Sequence, residues 1–151
     1  MFLRPATMDD ALSVLEWRND ETTRNNSFTK AIISKEDHLN WFKRKIEDGN
    51  CLMFILEDDG RAVGNVRLDI TDDIGEISYM IAPDERGKGL GKKALELLRD
   101  TKEVSSMVDS QKLRSLVGFV NEGNIASAKC FEDNGYSRIN AGDIRCYIKN
   151  L

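Results

Sequence analysis

Between a short apolar run and a helical pattern, the chain carries Arg86-Gly-Lys-Gly-Leu-Gly91, with glycine at every second position. Glycine lets a backbone turn tightly and approach a ligand without side chains in the way; a glycine-rich surface loop with solvated lysines is the alternative reading, which the adjoining strand, arginine and helix make weaker. The residues before it, Glu76 to Ile81, read as a strand, and Ala94, Leu95, Leu97 and Leu98 after it recur on one face of a helix. The first turn of such a helix offers unpaired N–H groups and roughly half a positive charge. This arrangement predicts a phosphate or pyrophosphate site, with amides of Gly87 to Lys92 as donors and Arg86, Lys88, Lys92 and Lys93 adding charge.

Two familiar phosphate loops do not fit these letters. A Walker loop needs Ser or Thr after Gly-Lys to hold magnesium, and here Gly91-Lys92 is followed by Lys93. A dinucleotide fingerprint needs a different glycine spacing after a first parallel strand, whereas this loop follows what reads as an antiparallel meander.

The chain has 151 residues, 40% of them hydrophobic, which suits one domain spanning 1–151 with a sizeable core. Its formal net charge of −4 argues against nonspecific attraction to nucleic acid or an anionic membrane, so an anionic ligand must be drawn in locally. No apolar run approaches the roughly 20 residues that cross a bilayer, and the N-terminus lacks signal-peptide character; the expectation is a cytoplasmic protein. Cys51, Cys130 and Cys146 have neither metal-ligand spacing nor the even number of a disulfide framework, and His38 is the only histidine, so no metal is expected.

Phe2 to Arg4 reads as an opening strand. Thr7 and Asp10 form a capping pattern ahead of a first helix running to Trp17, and Ser34 with Asp37 starts a second that ends before Gly49. Cys51 to Leu56, Ala62 to Ile70 and Gly75 to Ile81 form a three-stranded meander around polar turns. A helix from Gly89 continues toward Val108. Leu113 to Val120 is a strand, Asn124 to Asn134 a short helix, and Tyr136 to Ile148 a hairpin around Gly142. The order predicts an α/β (α+β) fold: a mixed, mostly antiparallel sheet of about seven strands with helices on both faces.

Arg86-x-x-Gly89-x-Gly91 after a strand resembles the coenzyme A pyrophosphate motif of the GNAT superfamily of N-acetyltransferases. Asn121-x-x-Asn124-x-x-Ser127-x-x-x-Phe131-x-x-x-Gly135-Tyr136 is similar to that superfamily's second coenzyme-binding segment. The resemblance covers essentially the whole chain. It implies acetyl-CoA as cosubstrate and a sheet splayed between the strands ending near Ile81 and Val120. Met80 and Ile81 would pair with the pantetheine amides, Arg86, Gly87, Lys88, Gly89, Leu90, Gly91 and Lys92 would hold the pyrophosphate, and Asn121 and Asn124 would meet the pantetheine arm or sulfur.

Acetyl transfer needs a group to accept the amine proton and may use one to assist the leaving thiolate. Glu76 is the expected base, acting through a water, with partial burial raising its pKa; a solvated strand glutamate is the alternative reading. Where many relatives carry a tyrosine acid, this chain has Phe131, so Ser127 through a water, or Asn121, would assist, or no protein acid is needed; Tyr79 and Tyr136 are further candidates, although both look like packing or gating residues.

On the acceptor side, Trp17-Arg18-Asn19 and His38-x-x-Trp41-Phe42 resemble enzymes that acetylate the 4-amino group of UDP-linked deoxy-amino sugars of the pseudaminic acid and flagellin-modification type. Arg18 and Arg24 would then meet a diphosphate, and Trp41 or Phe42 a base or sugar. Trp17, Arg18, Asn19, His38 and Trp41 are the expected substrate residues, in a monomer or homodimer; core packing for Trp17, Leu39 and Phe42, a surface charge for Arg18 and a satisfied helix histidine for His38 are the alternative readings. Protein N-terminal acetylation of the ribosomal-protein type and a non-catalytic acetyl-CoA-binding module are the alternatives.

Overall fold

The computed structural model describes residues 1–151, the side chain of Ala141 excepted. Both capping patterns start helices. The Asp10 carboxylate accepts the Thr7 N–H at 2.8 Å over a tight turn, Met8–Asp10, that runs into α1, Ala11–Asn19. A short α2, Glu21–Asn26, follows, capped by the Asp20 carboxylate on the Thr23 N–H at 3.1 Å. Its residues are all polar, so no apolar period announces it. Ser34 Oγ accepts the Asp37 N–H at 3.2 Å to open α3, Lys35–Glu47, which has acids in its first turn and Arg44 and Lys45 in its last, as the helix dipole favours.

Seven strands form one sheet: β1 (Phe2–Pro5), β2 (Cys51–Asp58), β3 (Arg61–Thr71), β4 (Ile74–Ile81), β5 (Ser115–Asn121), β6 (Ser137–Ala141) and β7 (Ile144–Asn150). Their order across the sheet is β1, β2, β3, β4, β5, β7, β6, and every pair is antiparallel except β4 with β5. That parallel ladder joins Ile74–Ile77 to Ser115–Gly118 and then stops, while β4 continues to Ile81 and β5 to Asn121. The expected splay is therefore present, and it opens a wedge at the C-terminal ends of two neighbouring strands.

The helix after the glycine loop is two helices rather than the single one expected: α4, Leu90–Leu98, and α5, Lys102–Asp109. Thr101 breaks them apart. Its hydroxyl donates to the Leu98 carbonyl at 2.8 Å and accepts the Val104 N–H at 3.3 Å, closing one helix and capping the next. The last helix is α6, Ile125–Asp133, capped by the Asn124 side chain on the Ser127 N–H at 3.2 Å.

Alternation along β2 divides the core between the two faces of the sheet. Phe54 and Leu56 join Leu95 and Leu98 of α4, Val104 of α5 and Phe131 of α6 on one face. Met53 and Ile55 join Val14 and Trp17 of α1 and Phe42 of α3 on the other. At about 1.5–3 kcal/mol for each large apolar side chain taken from water, these two layers hold the helices on the sheet. A Cβ at Gly118 would lie 2.2 Å from the Phe131 ring, so glycine there lets α6 settle directly on the β5 backbone beside the wedge. Among the described residues, no helix is long and apolar enough to cross a membrane.

Candidate active site

The wedge is bordered by β4, whose pleat sends side chains to both faces. Ile77 and Tyr79 pack with α4 and α6, while Met80 packs with α1 and α3, the face on which Arg67 of β3 donates to Ser78 Oγ at 3.3 Å. Two cavities meet across this strand. One, of about 420 Å³, is lined by Met80, Ile81, Arg86, Gly87, Gly89, Leu90, Gly91, Asn124, Ala126, Ser127 and Cys130, among others. The second, of about 320 Å³, is lined by Arg18, Phe28, Trp41, Asn65, Arg67, Glu76, Ser78 and Phe119, among others. Tyr79, Met80, Asn124 and Ser127, with Thr23, Asn26 and Ser27 of the α2 segment, line both.

In the larger cavity, Gly89 caps α4 with φ +75°, a left-handed conformation that side chains oppose. The first bond of the helical ladder runs from Lys93 N–H to the Gly89 carbonyl at 3.2 Å, which leaves the amides of Leu90, Gly91 and Lys92 ahead of it. No acidic residue lies in this first turn. The donors and the absent side chains fit a pyrophosphate, and the one carboxylate lining this cavity, Glu85, is paired with Lys88 and Arg61.

The basic side chains are placed differently from the expectation. Lys88 pairs with Glu85 at 2.7 Å and Lys92 approaches Asp133 at 3.7 Å, and neither lines the cavity. Arg86 does line it, but its guanidinium is held by Asp20 and by Thr23 Oγ1 at 2.8 Å. Each flexible cation has a nearer carboxylate, so the attraction for phosphate rests on backbone dipoles more than on lysine charge.

At the junction, Tyr79 donates its phenolic proton to Ser127 Oγ at 3.0 Å. Burial, and next the neighbouring Cys130, push the Tyr79 pKa above its ordinary value, so the ring keeps its proton across the working pH range. Tyr136, by contrast, is a core residue packed edge-on to Phe131. Tyr79 is thus the protonated hydroxyl at the wedge, a position that its apolar strand context in the sequence concealed.

Asn121 does not line either cavity. Its amide donates to the Asn26 carbonyl at 3.0 Å, tying β5 to the end of α2 instead of facing the reacting atoms. Glu76 lines the smaller cavity and is exposed, so the partial burial expected for it is absent. The strand's outward alternation at its start, where the sheet face is not covered by a helix, leaves it in water.

Of the expected acceptor residues, Arg18 and Trp41 line the smaller cavity, and Trp17, Asn19 and His38 do not. Trp17 is buried in the core between α1, α3 and the sheet. Asn19 exchanges hydrogen bonds with the Ile33 backbone at 2.8 and 2.9 Å, and Arg24 holds the carbonyls of Asn19 and Lys30, so both fasten the loop before α3. Phe42 is fully buried.

His38 is also fully buried, with Nε2 at 2.7 Å from the Ala11 carbonyl and Nδ1 at 2.9 Å from Arg18 Nη1. A carbonyl only accepts and a guanidinium only donates, so the imidazole is neutral with its proton on Nε2. Its pKa is lowered chiefly by burial, with the Arg18 charge acting the same way and the Ala11 carbonyl opposing. Arg67, not anticipated, was signalled by a lone cation within the otherwise buried run Val63–Leu68.

The sequence matches the acetyltransferase (GNAT) domain family over residues 1–137. The chain belongs to the GNAT acetyltransferases. It is an N-acetyltransferase, with the seven-stranded sheet of that fold. A search of curated protein sequences found no match. Among solved structures it is similar to a domain from Methanocaldococcus jannaschii (TM-score 0.81, 23% identity, covering 99% of this chain and 97% of that one). It is similar also to the ribosomal-protein-alanine N-acetyltransferase of Brucella melitensis (TM-score 0.79, 20% identity, covering 100% of each). A third is an aminoglycoside acetyltransferase in complex with coenzyme A (TM-score 0.78, 16% identity, covering 99% and 94%). At these identities the GNAT acetyltransferase shares its fold with relatives that differ widely in acceptor. Among its described residues no cluster of side chains could hold a metal ion.

Proposed function

We propose that this acetyltransferase moves the acetyl group of acetyl-CoA to the primary amine of a nucleotide-linked deoxy-amino sugar, by direct attack in a ternary complex. The observation that carries this reading is the meeting of two cavities at Tyr79, Met80, Asn124 and Ser127, which leaves room for both substrates against one strand. Bringing donor and acceptor together in this way converts a bimolecular encounter into an intramolecular one.

In this reading the amides from Gly87 to Lys92 hold the pyrophosphate, and the backbone of Met80 and Ile81, unpaired with β5 beyond the splay, receives the pantetheine arm. Acetyl-CoA supplies an activated thioester when bound. Glu76, exposed on the acceptor side, takes the amine proton through a water. The Tyr79 hydroxyl, turning its one proton from Ser127 Oγ, hydrogen-bonds the departing sulfur, with Asn124 beside it. A thiol of ordinary pKa near 8.5 is a stronger acid than a tyrosine raised above its normal value, so Tyr79 donates a hydrogen bond and keeps the proton. Trp41 and Phe28 offer faces to a base or sugar, and Arg18 offers a cation to the diphosphate.

The second reading is acetylation of a protein N-terminus, favoured by the full-length likeness to a ribosomal-protein-alanine N-acetyltransferase. Free-thiol release from acetyl-CoA, measured with a UDP-linked 4-amino-sugar and with an alanine-initiated peptide, separates them. Turnover of the sugar nucleotide supports the first reading. Turnover of the peptide alone replaces it with the second.

A further inference from the structure

Arg18 and Arg67 converge on one ring at the end of the acceptor cavity that the coenzyme cavity does not share. Arg18 Cζ lies 4.1 Å and Arg67 Cζ 5.0 Å from the Trp41 centroid, and all three side chains line that cavity. Arg67 has a carboxylate: its Nε donates to Asp69 at 2.7 Å, although Lys45 shares Asp69 at 2.8 Å. Arg18 has none within ion-pair distance among the described residues. Its one polar partner there is the uncharged Nδ1 of His38.

This arrangement is unfavourable in the unliganded protein. Two guanidinium groups against one indole repel each other, and the ring quadrupole offsets only part of that. Burial and then the charge of Arg67 lower the Arg18 pKa to about 10, which still leaves it charged at neutral pH. A half-buried cation without an anion is costly, and a structural role would be served by an apolar side chain. The remaining charged group on this cavity, Glu76, lies on β4 beside Asp69 rather than beside Arg18. The His38 bond holds one edge of the Arg18 guanidinium and leaves its other donors toward the cavity.

We propose that Arg18 and Arg67, set against Trp41, form an anion subsite that selects acetyl acceptors carrying a carboxylate or phosphate in addition to the amine. Planar guanidinium forks suit either group. The inference rests on the acetyl-transfer reading but not on a sugar nucleotide, because an acidic peptide or an amino acid derivative would supply the same chemistry. His38 acts as a positioning residue for Arg18.

The test uses matched acceptor pairs: glucosamine 6-phosphate against glucosamine, and alanyl-glutamate against alanyl-glutamine, each followed by thiol release. The expected result is at least about tenfold higher kcat/KM for the anionic member of whichever pair is used, shrinking toward equality in Arg18→Met and Arg67→Met. Arg67→Lys should keep part of the preference, which loss of packing alone would not predict. Acceptance of the two members at equal rates, or a preference that survives both methionine variants, overturns the proposal.

Turnover of neither pair would count against the acceptor reading, and a binding arm then decides the subsite. With coenzyme A saturating the glycine loop, calorimetric titration of inorganic pyrophosphate should show binding in the wild type that both methionine variants lose. No such binding, or binding unchanged in the variants, overturns the subsite. Coenzyme A affinity measured on each protein reports correct folding and tests the loop independently.

Discussion

Tyr79 and Ser127 join their hydroxyls at 3.0 Å where β4 and β5 part, and both side chains line the coenzyme cavity and the acceptor cavity. If this pair supports the leaving sulfur, Tyr79→Phe removes the donor with almost no change in volume. We expect kcat to fall by about tenfold or more, as for loss of one preorganised donor, with little change in coenzyme affinity. Steady-state thiol release gives kcat, and an unchanged value would move the burden to Ser127 or to no protein donor.

Glu76→Gln should reduce kcat/KM by about a hundredfold near neutral pH, the lower range for a general base. The deficit should narrow as pH rises, because free amine then forms without assistance. A pH-rate profile checks this; parallel profiles for wild type and variant would show that the exposed carboxylate is only solvated surface.

Gly89→Asp should lower coenzyme A affinity beyond detection. At φ +75° a side chain adds about 1 kcal/mol of strain, and the carboxylate would lie beside the amides left for phosphate. Open space around that Cβ position keeps the variant from disturbing packing, so calorimetry should find a folded protein that no longer binds.

His38 gives a pH dependence with a defined sign. Its pKa is depressed in the fold, chiefly by burial. Above about pH 6.5 neither folded nor unfolded chain holds the proton; below it, the unfolded chain binds a proton that the folded chain resists. Stability is therefore full above about pH 6.5 and is lost as pH falls from there toward the folded pKa, by at most about 1.4 kcal/mol per pH unit. With one histidine in the chain, urea unfolding across this window reports on it, and His38→Gln should remove that part of the slope. A slope identical in the variant would show that the ring is not the titrating group.

The sheet was legible because its signals are local. Polar turns such as Asp58-Asp59-Gly60, apolar runs of strand length and the caps at Thr7 and Ser34 each specify their own neighbourhood. The glycine loop was legible for the same reason. What escaped depends on contacts between distant segments. Nothing near Asn121 predicts that its amide goes to Asn26, 95 residues away, and nothing near Lys88 or Lys92 decides between a phosphate and a carboxylate partner. Trp17 and His38 share helices with Arg18 and Trp41, and only the packing of α1 against α3 separates core from cavity. Arg67 was overlooked because strand alternation was read there as packing alone, and Tyr79, named beside Tyr136 as a packing or gating residue, was separated from it only by the fold.

Helix α2 buries none of its residues and is fastened by polar bonds alone, from Asp20 and Thr23 to Arg86 at one side and from Asn26 to Asn121 at the other. Segments held this way are the first to come loose in a folded protein. Since Thr23 and Asn26 belong to the walls of both chambers, a visitor that unlatches this strap to reach one chamber also alters the doorway to the other. The two chambers are therefore coupled through a wall that no apolar packing holds in place.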